Sequence, residues 1–255
     1  MVHFVGAGPG APDLITLRGA KLLGEAGQVI YAGSLVNPEL LALTRPGTPC
    51  RDSASLTLEE VLALIEEGER QGLDTVRLHT GDPSLYGAVR EQMDALRERN
   101  IPFDVTPGVS SFSGAAAAVP AEYTLPGVSQ TVILTRMPGR TPVPPGEDLT
   151  ALAAHGASMA LFLSAGMAGE AARCLLAGGA YRPDTPAAIV YKATWPEERV
   201  YPCTLATLRE TAERNRITKT ALILVGDFLG REYRRSDLYN PAFSHGYRRG
   251  KEAGK

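Results

Sequence analysis

The sequence predicts an α/β fold: two α/β domains with mainly parallel or mixed sheets. Three observations carry that prediction. Short apolar runs alternate with helical patterns through the first half, several of those runs stop at loops rich in glycine and proline, and the alternation restarts after residue 121. Of the 255 residues 44% are hydrophobic and 21% charged, which supports a packed core and excludes a disordered chain. With 26 Lys plus Arg against 28 Asp plus Glu, the formal charge of −2 excludes a nucleic-acid binder that works through bulk positive charge.

The elements follow in order. Val2 to Val5 reads as a strand ending in Gly6-Ala7-Gly8-Pro9-Gly10, and Val29 to Tyr31 as a second ending at Ala32-Gly33. After it, Thr57-Leu58-Glu59-Glu60 has the spacing of a capping box, and Leu58, Val61, Leu62 and Ile65 recur on one helical face until Gly72. Thr75 to Thr80 gives a further strand, followed by Gly81-Asp82-Pro83 and a helix carrying Val89, Met93 and Leu96. Phe103 to Thr106 is the next strand and stops at Pro107-Gly108; Ala115 to Ala118 with Val119-Pro120 closes a helix. This succession predicts a largely parallel sheet flanked by helices, within a first domain of residues 1–121.

In the second domain, residues 122–236, strands are expected at Gln130 to Thr135, Ser158 to Ser164, Ala187 to Lys192 and Ala221 to Gly226. Helices are expected near Met167 to Ala177 and Leu205 to Arg214, with two hairpin-like elements besides. Pro138 to Gly146 holds four prolines and two glycines and is a loop. From Arg231 the chain turns polar and basic, and residues 237–255, with Arg248, Arg249 and Lys251, form a loosely held tail.

Cys50, Cys174 and Cys203 are dispersed and odd in number, so neither a disulfide framework nor a metal knuckle is expected. No apolar run approaches the ~20 residues that span a bilayer, and the N-terminus lacks the basic and apolar regions of a signal peptide. The expectation is a cytoplasmic protein with no metal, no membrane and no nucleic-acid partner.

Gly6-Ala7-Gly8-Pro9-Gly10-Ala11 formally fits the dinucleotide-binding turn. Two features oppose that reading. Pro9 and Pro12 each remove an amide donor where a pyrophosphate would be cradled, and Gln28 to Gly33 offers no carboxylate for a ribose. Thr80-Gly81-Asp82-Pro83-Ser84-Leu85-Tyr86-Gly87 and Pro107-Gly108-Val109-Ser110-Ser111 also follow strands, and loops at the carboxyl ends of parallel strands are where ligands sit. Each alone is also a turn or a helix cap with no ligand. His3, His79, His155 and His245 are scattered, and structural roles are favoured for them, with His79 beside the Gly81 loop the first exception to check.

The three loops together, Val5 to Gly10 with Asp13-Leu14-Ile15-Thr16, Gly81-Asp82-Pro83 with Tyr86-Gly87, and Pro107 to Ser111, resemble the tetrapyrrole methylases over about residues 2 to 230. Tyr31 to Val36, Thr135-Arg136 with Gly139 to Pro142, Met159 to Ser164 and Tyr191 to Pro196 resemble the branch of that family acting on C11 of precorrin-4. The resemblance implies a homodimer in which S-adenosylmethionine lies in the cleft between two α/β domains and a precorrin tetrapyrrole is the substrate. Carried over by position, it implies cofactor contacts at Pro9, Thr80, Gly81, Asp82, Leu85, Ser110, Ser111, Leu163 and Ala193. One departure stands out: relatives that methylate earlier ring positions carry Asp where this chain has Ala32, so no general base is assigned. A precorrin carries many carboxylates, and Arg136, Arg140 and Lys192 are the candidates to hold them. A nicotinamide-dependent oxidoreductase and a non-catalytic tetrapyrrole carrier are the rival readings.

Overall fold

The computed structural model describes residues 1–250. Lys251, counted above with the basic tail, lies outside the described residues. The chain divides into two compact units, Met1–Ala115 with Lys192–Glu198, and Ala116–Tyr191 with the chain from Arg199 onward.

The first unit is built on five parallel strands: β1 (Val2–Gly6), β2 (Gln28–Tyr31), β3 (Cys50–Asp52), β4 (Thr75–His79) and β5 (Phe103–Thr106), in the order β3-β2-β4-β1-β5. Side chains alternate across the pleat, so each face has its own core. Val5, Val29, Val76 and Leu78 pack with Leu23 and Ala26, in and just after α1 (Leu17–Glu25). Val2, Phe4 and Ile30 meet Val61, Leu62 and Ile65 of α2 (Leu58–Arg70) and Leu96 of α3 (Arg90–Glu98). The Thr57 capping box is present, with the Thr57 side chain accepting from Glu60 N–H and the Glu60 carboxylate from Thr57 N–H. The chain leaves β1 toward the α1 face and leaves β4 toward the α3 face, so the sheet changes winding direction between these neighbouring strands. That switch point is where open α/β sheets hold ligands.

One feature of the α3 face was not legible in the sequence. Thr75, Arg77 and His79 of β4 all point into it and are buried. Gln28 donates to Thr75 Oγ1 at 2.8 Å, and Arg77 donates to Gln92 Oε1 at 3.0 Å and to the Ile30 carbonyl at 3.2 Å. No carboxylate is among those partners, and burial lowers the Arg77 pKa to about 10.

The second unit carries β6 (Val132–Arg136), β7 (Ser158–Phe162), β8 (Pro186–Tyr191), β9 (Arg199–Thr204) and β10 (Ala221–Val225), in the order β6-β7-β10-β8-β9. Only β6 and β7 run parallel; the other pairs are antiparallel, so this sheet is mixed. Met159, Leu161, Ile189 and Ile223 form its core with Leu149 of α5 (Leu149–Ala153), Leu175 of α6 (Ala168–Ala177) and Leu208 of α7 (Leu208–Arg214). The expected helix at Leu205 begins three residues later, because Leu205 and Ala206 still donate their amides to Thr185 and Pro183. Of the hairpin-like elements expected, β8 with β9 is a hairpin of consecutive strands, and an isolated antiparallel bridge joins Leu125 to Ser129. β3 and β9 were both missed. Each is an edge strand, and Pro202 in β9 breaks the pattern that marks an interior strand.

Candidate functional site

The three glycine loops leave β1, β4 and β5, which are adjacent, so their order in sequence becomes a cluster at one sheet edge. They lock together backbone to backbone. Gly8 and Gly81 form an isolated bridge, with Gly81 N donating to Gly8 O at 2.8 Å and Gly8 N to Gly81 O at 3.2 Å. A Cβ on Gly6 would lie 2.5 Å from Gly108 Cα and 2.7 Å from Gly81 O, so neither Gly6 nor Gly108 can be anything larger. Gly8 (φ +81°) and Gly81 (φ +60°) also hold left-handed conformations that side chains disfavour.

Asp82 ties the cluster. Its Oδ2 accepts from Gly108 N at 2.9 Å, while Oδ1 accepts from Ser84 N at 2.8 Å and from the Ser84 hydroxyl. Burial opposes its ionisation, but these three bonds outweigh burial and hold the carboxyl below its ordinary pKa. Both oxygens are therefore committed to the loops. Pro9, Gly81 and Ser110 are buried, Thr80, Asp82, Leu85 and Ser111 half-buried. Ser111 opens α4 (Ser111–Ala118), and a Cβ on Gly81 would lie 3.6 Å from Ser110 Cα and Ser111 N, so the second loop rests directly on that helix start.

Ala193 belongs to the same unit, within Lys192–Glu198, and is 5% exposed. The expected cofactor residues Pro9, Thr80, Gly81, Asp82, Leu85, Ser110, Ser111 and Ala193 thus share the first unit. Leu163 lies in the second unit, directly after β7. It is 66% exposed and left-handed (φ +52°), held there by buried Ser164, whose hydroxyl donates to Phe162 O at 2.6 Å and accepts from Met137 N at 2.8 Å. A leucine displayed in that conformation is costly, so the surrounding turn must hold it there. Tyr86, Ala88, Lys192 and Thr194 share the positive φ.

The three substrate candidates separate. Arg136 donates from Nη1 to Met137 O (3.2 Å) and Thr141 O (3.1 Å) and from Nη2 to Pro142 O (2.7 Å), so it staples its own loop. Arg140, on that loop, is exposed and has no protein partner among the described residues. Lys192 Nζ lies 3.3 Å from Glu197 and 5.3 Å from the Trp195 ring centroid. His79, the histidine nearest the loops, is 4% exposed and stacks 6.1 Å from Phe4, and its Nε2 has no hydrogen-bond partner among the described residues. Burial, reinforced by the Arg77 charge, pushes its pKa down to about 3, so the ring is neutral.

Sequence reasoning passed over Asn37, and it noted Thr194 and Trp195 only as part of the resembling segment Tyr191 to Pro196, without a role; all three hold the first glycine loop from outside it. The signal available was the single tryptophan of the chain, in a segment with no core periodicity.

Residues 1–209 match the family model of the Tetrapyrrole (Corrin/Porphyrin) Methylases. A cobalt-precorrin-4 C(11)-methyltransferase of Methanocaldococcus jannaschii is 47% identical over 97% of this chain and 96% of its own length. A precorrin-4 C(11)-methyltransferase of Mycobacterium tuberculosis is 46% identical over 94% of this chain and 96% of its own. The X-ray structure of a cobalamin biosynthetic enzyme, cobalt precorrin-4 methyltransferase, matches with a TM-score of 0.88 at 45% identity, covering 90% of this chain and 96% of that one. Uroporphyrin-III C-methyltransferase from Thermus thermophilus, complexed with S-adenyl homocysteine, matches with a TM-score of 0.74 at 27% identity, over 90% and 93% of the two chains. The chain belongs to the tetrapyrrole (corrin/porphyrin) methylases.

Proposed function

We propose that this protein methylates precorrin-4 at C11, taking the methyl group from S-adenosylmethionine and giving precorrin-5 and S-adenosylhomocysteine in cobalamin biosynthesis. The observation that carries the reading is the interlocked cluster of three glycine loops at the switch point of a parallel sheet, in a chain nearly half identical to methyltransferases named for this reaction. The cobalt form of the substrate is the alternative named by equally similar relatives.

The residues present suit such a cofactor: a buried to half-buried, largely backbone surface with neutral hydroxyls at Thr80, Ser110 and Ser111 and an apolar Leu85 on the second loop. Bound there, S-adenosylmethionine supplies a methyl group that its sulfonium already makes electrophilic. The protein's own task is placement, which supplies on the order of 7 to 11 kcal/mol when reacting atoms are held in line. Pro9, Thr80, Gly81, Leu85, Ser110, Ser111 and Ala193 line the cofactor, with Leu163 adding an apolar contact. Asp82 supports them by fixing the Gly108 and Ser84 amides. Arg140 meets a substrate carboxylate, while Arg136 shapes the loop that presents it. His79 is neutral and sealed, and Ala32 offers no carboxylate, so no side chain is assigned as an indispensable base. The protein works as a cytoplasmic homodimer on this reading.

The test is incubation with precorrin-4, metal-free and cobalt-loaded, and cofactor labelled in its methyl group. Carbon NMR should place one new methyl on C11. A label on another ring carbon keeps the family and overturns the regiochemistry; no transfer to either form overturns the substrate. Calorimetry should show binding of S-adenosylhomocysteine and none of NAD, which separates the oxidoreductase and carrier readings.

A further inference from the structure

The turn Pro9-Gly10-Ala11 is held by side chains that reach it from far along the chain. Trp195 Nε1 donates to Pro9 O at 3.2 Å, Asn37 Nδ2 donates to Gly10 O at 2.9 Å, and Thr194 Oγ1 accepts from Ala11 N at 3.0 Å. Three successive residues of the loop thus have a backbone group taken by a separate side chain.

The fit is steric as well as polar. A Cβ on Gly10 would overlap the Trp195 indole, so the ring lies directly on that glycine. On the other side, a Cβ on Gly114 would come within 3.0 Å of the Pro9 ring and 3.2 Å of the Thr194 methyl. Lys192 and Glu198 brace the two residues: the Lys192 ammonium sits over the indole at 5.3 Å, and Glu198 Oε2 accepts from Thr194 N at 2.6 Å. Thr194 itself holds φ +69°, a conformation that β-branched residues almost never adopt. In that conformation its hydroxyl accepts from Ala11 N while its methyl faces Gly114.

We propose that Thr194 and Trp195 are positioning residues of the methyl-donor site, holding the Pro9-Gly10-Ala11 turn in its binding shape, and that Trp195 emission reports occupancy of that site. The inference rests on the reading that S-adenosylmethionine binds against the first glycine loop. With Trp195 the one tryptophan of the chain, its fluorescence reads this turn without interference.

The experiment titrates S-adenosylhomocysteine into the full-length protein, following heat and Trp195 emission in parallel. Wild type should bind, with an emission change that saturates together with the heat. Thr194→Val keeps the shape and removes the acceptor, and should weaken binding about five-fold, the scale of one net hydrogen bond; Thr194→Ser should recover affinity to within about two-fold of wild type. Gly10→Ala should displace the indole, shift its emission to the red before any ligand is added, and weaken binding in the same direction. If wild type binds no S-adenosylhomocysteine, the underlying cofactor reading fails. If wild type binds while its emission stays constant, or while folded Thr194→Val and Gly10→Ala bind as tightly as wild type, the positioning role is overturned.

Discussion

The two sheets end in surfaces of different construction. At the carboxyl ends of β1, β4 and β5 the first unit packs backbone on backbone, with Gly6, Gly81 and Gly108 in contact and side chains such as Asp82 fastening the loops around that contact. At the end of β7 the second unit is held by side chains: Ser164 pins the turn that displays Leu163, and Arg136 staples the loop that carries Arg140. Backbone packing of this kind leaves no room for a side chain at Gly6 or Gly108. Side-chain packing can be changed residue by residue without moving the backbone, and on the proposed function this is the surface that Arg140 offers to a substrate carboxylate.

The largest effect should come from breaking the rigid side of that comparison. Gly108→Val places atoms against Gly6 Cα, 2.7 Å from the new Cβ, where only backbone could yield, so a loss of about 3 kcal/mol or more is expected. Gly179→Ala, also left-handed but with nothing within 4 Å, should cost only about 1 to 2 kcal/mol. Urea midpoints of the two variants check the contrast, and equal losses would refute the interlock.

Next in size is the acid response of the α3 face. The folded-state pKa of His79, about 3, lies below its ordinary 6.5, so the unfolded chain takes up a proton that the folded chain refuses. Its contribution to stability is complete above about pH 6.5 and falls away toward pH 3, at up to ~1.4 kcal/mol per pH unit. His79→Gln should flatten the dependence of unfolding free energy on pH between 6 and 4 by that slope; an unchanged slope would mean that the ring is not sealed.

The second unit sharpens the comparison. Arg140→Ala should weaken tetrapyrrole binding about ten-fold, a charge-assisted contact being worth about 1.5 to 3 kcal/mol, and leave S-adenosylhomocysteine affinity intact. Arg136→Ala should also expose the 137–142 loop to protease, because three carbonyl bonds go with it. A loss confined to the cofactor in either variant would reverse the assignment.

The smallest effect concerns Asp82. Its depressed pKa means a contribution present above the ordinary carboxylate range and lost as pH falls through the lowered value. Asp82→Asn should remove about 1 kcal/mol at neutral pH and flatten the stability curve below pH 4; an unaltered acid limb would show that the Gly108 bond carries no weight.

Much of this architecture was legible. The capping box at Thr57, the strand-loop-helix alternation and the order of the glycine loops are local signals, and local signals survive in a linear reading. The edge strands β3 and β9 were not legible, since three residues at Cys50–Asp52, and a strand containing Pro202, lack the periodicity of buried strands. Nor was the state of Arg136: its charge suggested a ligand, whereas its partners are carbonyls five and six residues on, a geometry no spacing rule predicts. Gly6 and Gly108 were noticed as loop residues, but their mutual contact joins positions about a hundred residues apart and becomes visible only in three dimensions.

The hold on the Pro9–Ala11 turn has a consequence for how the protein comes into being. Its fastening residues are Asn37, near the start, and Thr194 and Trp195, separated from their partners by 183 and 186 residues. A chain emerging from the ribosome can pair β1, β4 and β5 once residue 106 is clear, yet its first glycine loop then has only the Asn37 tether and still lacks those of Thr194 and Trp195. Contacts of such long separation form late. On the positioning role proposed for Thr194 and Trp195, competence to bind the methyl donor waits for the chain beyond residue 195 rather than arriving with the N-terminal sheet that displays the loops.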